Sequence, residues 1–453
     1  MLTSVPRLVL AGTNSGCGKT TVTCAILQAL VDRGLDVGAF KCGPDYIDPM
    51  FHSRIIGAKS ANLDPFFFDD GTLRALLAQN GGDRNISIIE GVMGFYDGRE
   101  TASHEGSTYA LARSTDSPVV LVVGAKGAAL SVLATIQGFL DFLPENHICG
   151  VILNRCSAMV YDVLAGEMER RFSGRVRPLG YLPAMPECAL ESRHLGLVTA
   201  AEVEGLREKM QRLSAQAEKT LDLAGLIALA NSAAPIEHHP LPFQRQAERV
   251  RIAVAQDRAF CFYYADSLEA LRSLGAEIVE FSPLHDTALP EDIHGLYLGG
   301  GYPELYAKTL SENTAMRCAV KKALEAGLPC IAECGGFMYL TEAIGEYPMV
   351  GHLPGRCFDT GRLTRFGYVR LRAQRDNMLC SAGDEIPAHE FHHWDCDDTG
   401  DGFTAEKPSG KSWRCVHATP TLYAGYPHFH FCAAPDFALR FYGACIKEKH
   451  RHA

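Results

Sequence analysis

The sequence has no CxxC pair, no long uninterrupted apolar run and no excess of positive charge, and each absence excludes a class of protein. Its 16 cysteines are scattered singly along 453 residues, which is typical of reduced thiols and argues against a disulfide scaffold. Against 43 Lys and Arg stand 53 Asp and Glu, a formal charge of −10. Neither nucleic acid nor an acidic membrane surface is therefore expected as a partner.

A secretory leader and a membrane span are also not expected. The first eleven residues hold one basic side chain, Arg7, and the apolar segment 8–11 runs straight into a glycine loop, so it is too short for the apolar core of a signal peptide. The longest apolar region, 118–140, is interrupted by Lys126 and three glycines and favours a strand, a turn and a helix. We expect a cytoplasmic protein, and the sequence leaves its oligomeric state open.

Short apolar runs alternate with helical stretches in both halves of the chain, which predicts parallel sheets covered by helices on both faces. A stretch rich in Ala, His and Pro, 231–246, interrupts the pattern, and a polar segment around 395–410 is expected to be loose. We predict an α/β protein with a first domain at 1–230, a linker at 231–249 and a second domain at 250–453. The expected strands are 7–11, 37–40, 86–89, 119–123, 148–153, 251–255, 278–280, 296–298 and 329–332, and the expected helices are 20–33, 267–274 and 314–326.

A glycine loop with the sequence GTNSGCGKTT, residues 12–21, lies between the first strand and the first helix. This is the context of a phosphate-binding loop, in which backbone N–H groups turn toward phosphate oxygens and the helix N-terminus favours an anion. The loop is one residue longer than the usual pattern because its first glycine is Gly12. We expect ATP to be bound by Gly12, Asn14, Ser15, Gly16, Cys17, Gly18, Lys19, Thr20 and Thr21, with the Thr20 hydroxyl reaching Mg²⁺.

Acidic residues follow two neighbouring strands. Glu90 ends the apolar strand ISIIE, where a Mg²⁺ ligand lies in this kind of fold. Asp45 and Asp48 follow the strand at 37–40 and add carboxylates to the same edge, although each also fits a turn or a helix cap.

Three segments in register, GTNSGCGKTT, KCGPDYIDP (41–49) and EGVMGFYDG (90–98), resemble the amino-terminal domain of the cobyrinic acid a,c-diamide synthase family, ATP-dependent amidoligases related to dethiobiotin synthetase. The resemblance implies a P-loop NTPase-like, doubly wound, dethiobiotin-synthetase-like sheet, with Lys19 and Thr20 at the phosphates and Mg²⁺. It also implies Asp45 and Glu90 as further Mg²⁺ ligands or as groups behind them. Asp48 and Asp97 are implied to lie near the carboxylate that is activated.

Further residues of these segments are candidates for other contacts. Tyr46, Phe95 and Tyr96 combine with the acids to suit a large planar acid, although an aromatic cluster is as often core. Asn154, followed by Arg155, stands where such folds often bind adenine, and it equally fits a solvated strand end.

A cysteine lies on a sharp turn between a strand and a helix in the second half. Cys334, in PCIAECGGFMYL (329–340), has the context of a nucleophile elbow, and the helix dipole is expected to lower its pKa, whereas Cys330 is expected to be apolar filling. Upstream, Gly300 and Gly301 end another strand and free backbone N–H groups for an oxyanion. Downstream, the segment GYPHFHF (425–431) offers imidazole as a base.

Oxyanion glycines, cysteine elbow and late histidine in this order resemble the class I glutamine amidotransferase domain, a flavodoxin-like α/β fold, in the variant fused to cobyrinic acid and cobyric acid synthases. The resemblance implies that Cys334 attacks the amide of glutamine and releases ammonia. His428 is the preferred base, and His430 stands where the family usually has a glutamate, so either histidine can orient the other and their roles can be exchanged. The segment AHEFHHW (388–394) lacks zinc-site spacing and is expected to be structural or to line the substrate.

The two halves together predict an enzyme that uses ATP and glutamine to amidate the a and c acetates of cobyrinic acid through acyl phosphates, with one ATP and one glutamine for each amide. Only the resemblance selects this macrocycle, because hydrogenobyrinic acid and nickel sirohydrochlorin carry comparable acetates. A partitioning (ParA-type) ATPase switch is a remote alternative, since its characteristic extra lysine would stand at Asn14. A dethiobiotin-synthetase-like carboxylase is a closer enzymatic alternative, but such an enzyme would need no glutaminase in the second half of the chain.

Overall fold

The computed structural model describes residues 1–189 and 205–451, which form two compact units, Met1–Leu241 and Pro242–Ala453. The boundary between the units lies inside the segment 231–249. The first unit continues past residue 230, because a short strand at Ile236–Glu237 pairs antiparallel with Leu2–Thr3.

The first unit is built on a parallel sheet of seven strands in the order β4-β3-β5-β2-β6-β7-β8. Its central strands are apolar and buried on both faces, as the sequence predicts. The strands of this unit are β1 (Leu2–Thr3), β2 (Arg7–Gly12), β3 (Val37–Cys42), β4 (Lys59–Leu63), β5 (Ile86–Glu90), β6 (Val119–Gly124), β7 (Ile148–Asn154), β8 (Arg177–Leu182) and β9 (Ile236–Glu237).

Helices cover the sheet, and the mostly buried helix α1 (Lys19–Asp32) follows the central strand β2 directly through the glycine loop. The carboxyl ends of β3, β5 and β2 lie side by side, so the loops after these three strands share one edge of the sheet. The helices are α1 (Lys19–Asp32), α2 (Ile47–Phe51), α3 (Asp70–Gly81), α4 (Thr108–Ser114), α5 (Ser131–Phe142), α6 (Ala158–Phe172), α7 (Leu206–Thr220) and α8 (Leu223–Asn231), with a π-helical turn at His52–Ile56 and a 3₁₀ turn at Pro186–Cys188.

The second unit has a six-stranded sheet in the order β12-β10-β13-β15-β23-β22, parallel except for β22. The α/β class predicted from the sequence is thereby confirmed in both units. The elements of this sheet and its helices are β10 (Val250–Ala255), α9 (Ala265–Leu274), β12 (Ala276–Phe281), β13 (Gly295–Leu298), α10 (Ala307–Glu312), α11 (Thr314–Glu325), β15 (Cys330–Glu333), α12 (Gly335–Leu340), β22 (His417–Ala418), β23 (Leu422–Gly425) and α13 (Pro435–Arg451), with 3₁₀ turns at Pro303–Tyr306 and Phe431–Ala433.

A second, largely antiparallel sheet of seven strands stands beside it and was not predicted. Its centre is the long pair β18 (Arg356–Ala373) and β19 (Glu385–Cys396). The segment 395–410 contains the end of β19 and all of β20 (Phe403–Glu406), joined and followed by turns and irregular backbone, and its looseness stays a prediction. The remaining strands are β11 (Phe260–Phe262) and β14 (Gly300–Gly301), which pair with each other, and β16 (Ala343–Ile344), β17 (Tyr347–Pro348), β18 (Arg356–Ala373), β19 (Glu385–Cys396), β20 (Phe403–Glu406), β21 (Ser412–Cys415) and β24 (His428–Phe429).

All 16 cysteines are free thiols, and most of them are buried. Within the described ranges no helix is long and apolar enough to cross a membrane.

Candidate active sites

The glycine loop of the first unit has the backbone of a phosphate-binding loop. Gly16 and Gly18 have φ values of 81° and 96°, in the left-handed region where glycine is favoured. A side chain at Gly18 would also place its Cβ 1.9 Å from the Asn154 amide nitrogen. The loop therefore requires glycine at the position from which α1 begins, with the first-turn N–H groups of the helix available to an anion.

The glycine loop is held by the Asn154 side chain, and Lys19 links it to the loop that contains Met93. The amide of Asn154, at the end of β7, donates to the Cys17 carbonyl at 2.8 Å. Asn154 thus supports the glycine loop through a contact that the sequence did not indicate. Its role in binding adenine stays a prediction. The Lys19 ammonium donates to the carbonyl of Met93 and, at 3.4 Å, to that of Asn14. Burial lowers the pKa of Lys19, and the Lys41 ammonium adds to this effect.

The predicted Mg²⁺ residues Thr20 and Glu90 lie in direct contact. The Thr20 hydroxyl donates to Glu90 Oε1 at 2.7 Å, and Glu90 is fully buried at the end of β5. The same oxygen lies 3.0 Å from the ammonium of Lys41, which also pairs with Asp48 at 2.5 Å. Burial alone would lower the pKa of Lys41, but the carboxylates of Asp48 and Glu90 outweigh it and raise this pKa well above its ordinary value.

Lys41 was not selected from the sequence, although a lysine ending a buried strand is a usable signal. Its ammonium group contacts both Glu90, at the end of β5, and the predicted substrate residue Asp48. The buried His52, which was also missed, lies 3.7 Å from Glu90 Oε2, and burial lowers the pKa of its imidazole.

Asp45, just before α2, and Asp48, in the first turn of α2, form an unequal pair of carboxyl groups. Burial opposes the ionisation of Asp48, but the Lys41 ammonium holds its pKa below the ordinary value. Burial and the adjacent Asp48 carboxylate raise the pKa of Asp45 to about 7. One Asp45 oxygen accepts the Ile47 N–H at 2.7 Å, which is the turn contact considered as its alternative role. Tyr46 lies between them at the start of α2 and is half-buried.

The segment 90–98 lies against the glycine loop. The Phe95 N–H donates to the Gly12 carbonyl at 2.8 Å, and the exposed Asp97 accepts the Gly94 N–H at 2.8 Å. Asp97 also acts electrostatically on Lys19. The expectation that Phe95 and Tyr96 dock a substrate is wrong for the Phe95 ring, which is fully buried and packs on Tyr96, whose hydroxyl donates to the Phe139 carbonyl.

In the second unit, Cys334 occupies a strained backbone position between β15 and α12. Its φ and ψ are 48° and −102°, a conformation that costs a non-glycine residue about 1–3 kcal/mol and is concentrated at functional sites. Its N–H donates to the Gly425 carbonyl at 2.8 Å, which extends the sheet pairing, and its carbonyl accepts the Met338 N–H at 2.9 Å, which begins the helix. This is the geometry of a nucleophile elbow.

The ionisation of Cys334 differs from the expectation. Burial raises the pKa of the thiol, and the Glu304 carboxylate raises it further, whereas the N–H of Gly335 has the opposite effect. The short helix α12 has six residues, and its dipole acts on a thiol that is 7% exposed. The substrate-free site therefore holds a thiol, and a base has to remove its proton. Cys330 is fully buried in the core, as expected of apolar filling.

An acid that was not selected from the sequence, Glu333, precedes the cysteine and lies beside His428. Its Oε2 lies 3.2 Å from Nδ1 of His428, and both side chains are buried. Burial raises the pKa of Glu333, and His428 offsets only part of this effect. A carboxylate ending an apolar strand was the signal used for Glu90 and applied equally to Glu333. Glu333 is thus a second candidate for the third role, and the role of His430 stays a prediction.

His430 lies in a different environment. Its Nδ1 accepts the Cys432 N–H at 3.1 Å and its ring packs on Tyr264 at 4.7 Å. Burial lowers its pKa to about 3, so the imidazole is neutral. These contacts favour His428 as the base.

The two candidate oxyanion glycines lie beside these residues. A Cβ on Gly300 would lie 2.6 Å from Cε1 of His428, and a Cβ on Gly335 would lie 3.1 Å from the Gly301 nitrogen. The backbone of β14 thus approaches both the base and the elbow as closely as glycine permits. The role of these N–H groups at an oxyanion stays a prediction.

The histidine-rich segment 388–394 is part of strand β19. His392 Nε2 lies 3.0 Å from Glu390 Oε2, and the His392 ring stacks on Tyr426 at 3.9 Å. Because Tyr426 lies two residues before His428, these contacts support the chain that carries the base. No group of three or more His, Cys, Asp or Glu side chains in the described ranges is arranged to hold a metal ion, in either unit.

Two stretches of the chain match known domain families. Residues 8–198 match the CobQ/CobB/MinD/ParA nucleotide binding domain, and residues 251–435 match the CobB/CobQ-like glutamine amidotransferase domain. The chain is 41% identical to the cobyrinate a,c-diamide synthase of Clostridium acetobutylicum, over 95% of this chain and 98% of the relative. It is also 41% identical to the enzyme of the same name from Thermoplasma volcanium, over 98% of each.

Among solved structures, PurLQS from Thermotoga maritima aligns with 44% of this chain and 99% of its own, with a TM-score of 0.32 and 15% identity. A likeness this distant carries no argument about function.

Proposed function

The chain belongs to the cobyrinate a,c-diamide synthase family and is a glutamine-dependent ligase with a nucleotide-binding domain, and we propose that it amidates the a and c acetates of cobyrinic acid through acyl phosphates. The observation that supports this mechanism is the presence in one chain of two sets of residues suited to these two reactions. One is a P-loop whose threonine contacts a buried glutamate, and the other is a cysteine elbow beside a Glu–His pair.

The first unit has to activate a carboxylate, because the oxide that ammonia would displace from an unactivated carboxylate is a very poor leaving group. Transfer of the γ-phosphoryl group of ATP to the acetate makes inorganic phosphate the leaving group. Lys19 and the N–H groups at the start of α1 bind the phosphates and stabilise the charge that develops on them. Lys41 keeps Asp48 ionised at the same edge, and Asp48 and Asp97 orient the acid that is phosphorylated.

Residues at the P-loop fit a magnesium ion bound together with ATP. The Thr20 hydroxyl and the Glu90 carboxylate are already 2.7 Å apart and supply two oxygen ligands. Since Mg²⁺ is usually held by one or two protein oxygens together with substrate phosphates and water, no larger cluster of acids is needed. Thr20 and Glu90 would hold the ion, with Asp45 near it, and the ion would neutralise charge on the β- and γ-phosphates.

The second unit supplies ammonia. Nε2 of His428 takes the thiol proton, the Cys334 sulfur attacks the amide carbon of glutamine, and the N–H groups near Gly300 and Gly301 receive the oxyanion. The carbon–nitrogen bond then breaks as His428 returns the proton to the leaving ammonia, and water hydrolyses the glutamyl thioester. Glu333 fixes the tautomer of His428 and stabilises its imidazolium form. Supply on the same chain matters because free ammonia is mostly protonated at neutral pH.

Replacement of Cys334 by serine separates this proposal from a partitioning ATPase and from a carboxylase. With cobyrinic acid and Mg-ATP, the variant is expected to lose synthesis from glutamine and to keep synthesis from ammonium salts. The exposed Cys318 provides the matched control, since Cys318→Ser is expected to leave both reactions unchanged. Synthesis from glutamine by the Cys334→Ser chain would contradict the proposal.

A further inference from the structure

Three carboxylates act electrostatically on the Cys334 thiol, and two of them have imidazole partners. Glu333 is paired with His428 at 3.2 Å and Glu390 with His392 at 3.0 Å. The third, Glu304, has the largest effect on the thiol of the three, and in the described part of the chain it has no cationic partner.

Glu304 lies in the 3₁₀ turn Pro303–Tyr306, directly after the candidate oxyanion glycines. This turn packs on the residue that follows the nucleophile, because Pro303 Cδ would lie 2.8 Å from a Cβ on Gly335. Burial raises the pKa of Glu304 to about 7, and the carboxylate of Asp359 contributes to the same effect. The fold thus keeps the Glu304 carboxyl group near the Cys334 thiol. The charged group that acts on Glu304 is another acid, Asp359, and not a cation.

A half-buried carboxylate without a counterion is unfavourable, and a bound cation relieves the cost. The proposed substrate of this site brings one cation, its α-ammonium group. In an extended glutamine this nitrogen is about 5 Å from the amide carbon that the thiol attacks. The turn that carries Glu304 packs on Gly335, the residue after the nucleophile, and the Glu304 carboxylate acts electrostatically on the thiol, so we expect the ammonium group to come within reach of this carboxylate.

We propose that Glu304 binds the α-ammonium group of glutamine and that this contact both selects α-amino amides and couples substrate binding to the activation of Cys334. The inference rests on the glutaminase function proposed above. Without substrate, the Glu304 carboxylate opposes formation of the thiolate. Once it is paired with the ammonium group, this repulsion is offset, so proton transfer from Cys334 to His428 becomes easier when glutamine is in place.

A purely structural role for Glu304 predicts a different result. An acidic residue in the first turn of a helical segment favours that segment through its dipole, whatever ligand is bound. Such a role would change stability and the hydrolysis of every amide to a similar extent. A role in binding the ammonium group changes only the substrates that carry it.

The test compares hydrolysis of L-glutamine and of glutaramic acid, which is glutamine without its amino group, by the full chain. The Glu304→Gln variant is expected to lower kcat/KM for glutamine about tenfold or more, mostly through KM, because a charge-assisted contact is lost. The value for glutaramic acid is expected to stay the same or to rise, because this substrate has no ammonium group to lose and the substitution removes the unpaired carboxylate that opposes thiolate formation. The ratio of the two kcat/KM values therefore falls toward one.

Two further variants complete the experiment. Glu312→Gln is the matched control, because Glu312 is exposed at the end of α10. The substitution removes only an ion pair with Lys308, in which the nitrogen and the oxygen are 3.9 Å apart. This control is expected to keep the full preference for glutamine, and Glu304→Asp, which keeps the charge, is expected to retain part of it. If Glu304→Gln does not fold, the preference of Glu304→Asp decides the matter, and loss of the whole preference with the charge kept contradicts the proposal.

The outcomes separate this inference from the function on which it rests. An unchanged ratio in a folded Glu304→Gln variant that still hydrolyses glutamine overturns the assignment of Glu304 alone. Absence of glutamine hydrolysis in the unmodified chain overturns the glutaminase and this inference together.

Discussion

Replacement of Glu333 by glutamine tests the acid that the structure adds to the glutaminase site. The substitution keeps the size of the side chain and removes its charge. In the unmodified chain, the buried Glu333 carboxylate lies 3.2 Å from His428 Nδ1. In the proposed mechanism it stabilises the imidazolium that forms when Cys334 loses its proton. An amide in the same place cannot stabilise this charge equally, and it can hold the wrong tautomer of the imidazole.

The size of the effect follows from the kind of contact that is lost. A hydrogen bond to a charged group contributes about 1.5–3 kcal/mol. At about 1.4 kcal/mol for each factor of ten in rate, the loss corresponds to about a 10- to 150-fold decrease in kcat for glutamine hydrolysis. The decrease belongs to the chemical step, so KM for glutamine is expected to change little.

The assay is release of glutamate from glutamine, measured beside ammonium-dependent amide synthesis by the same preparation. Synthesis from ammonium salts reports an intact first unit and is expected to be maintained. A Glu333→Gln chain that is folded by circular dichroism and has a kcat within a factor of two of the unmodified chain would refute the role of Glu333.

Three other predictions concern single side chains. His428→Asn is expected to abolish glutamine hydrolysis, whereas His430→Asn retains a kcat within about tenfold because its contacts are to Cys432 and Tyr264; equal losses in steady-state assays would contradict the assignment of the base. Lys41→Met leaves two carboxylates without their cation and is expected to lower the free energy of unfolding by about 3–5 kcal/mol in denaturant titrations, and a neutral effect would contradict the network. The raised pKa of Asp45, about 7, means that its contribution to stability is complete below the unfolded pKa of about 3.9 and is lost as the pH rises through 7. Asp45→Asn is therefore expected to raise Tm more at pH 8 than at pH 5, and an equal shift at both pH values would refute the pKa assignment.

Local sequence signals were enough where function depends on short segments. The strand, glycine loop and helix at 7–33 were located from apolar periodicity and glycine spacing, because the contacts that define them are between near neighbours. The elbow at Cys334 was found in the same way, from a strand that turns through two glycines. The parallel sheets followed from uniformly apolar strands separated by helices.

Contacts between distant parts of the chain were missed. Glu333 and His428 are 95 residues apart, and strand pairing in the folded chain, of β15 with β23 and of β19 with β24, brings their segments together. The antiparallel sheet was not predicted because half of the residues of β18 are exposed, and because β19 mixes apolar residues with histidines and acids and does not form an apolar run. The pKa of Cys334 was expected in the wrong direction because burial and the Glu304 charge depend on tertiary packing, whereas the helix dipole can be inferred locally.

The most direct test of the central claim is mass spectrometry of the product formed with Mg-ATP and glutamine labelled with ¹⁵N at its amide. Cobyrinic acid, hydrogenobyrinic acid and nickel sirohydrochlorin are each incubated with the full chain. The account predicts two labelled amides on cobyrinic acid, at the a and c positions, and consumption of one ATP for each amide. If cobyrinic acid gains no label while ATP is hydrolysed and glutamine is deamidated, the account is contradicted, and label on another macrocycle would identify the substrate in its place.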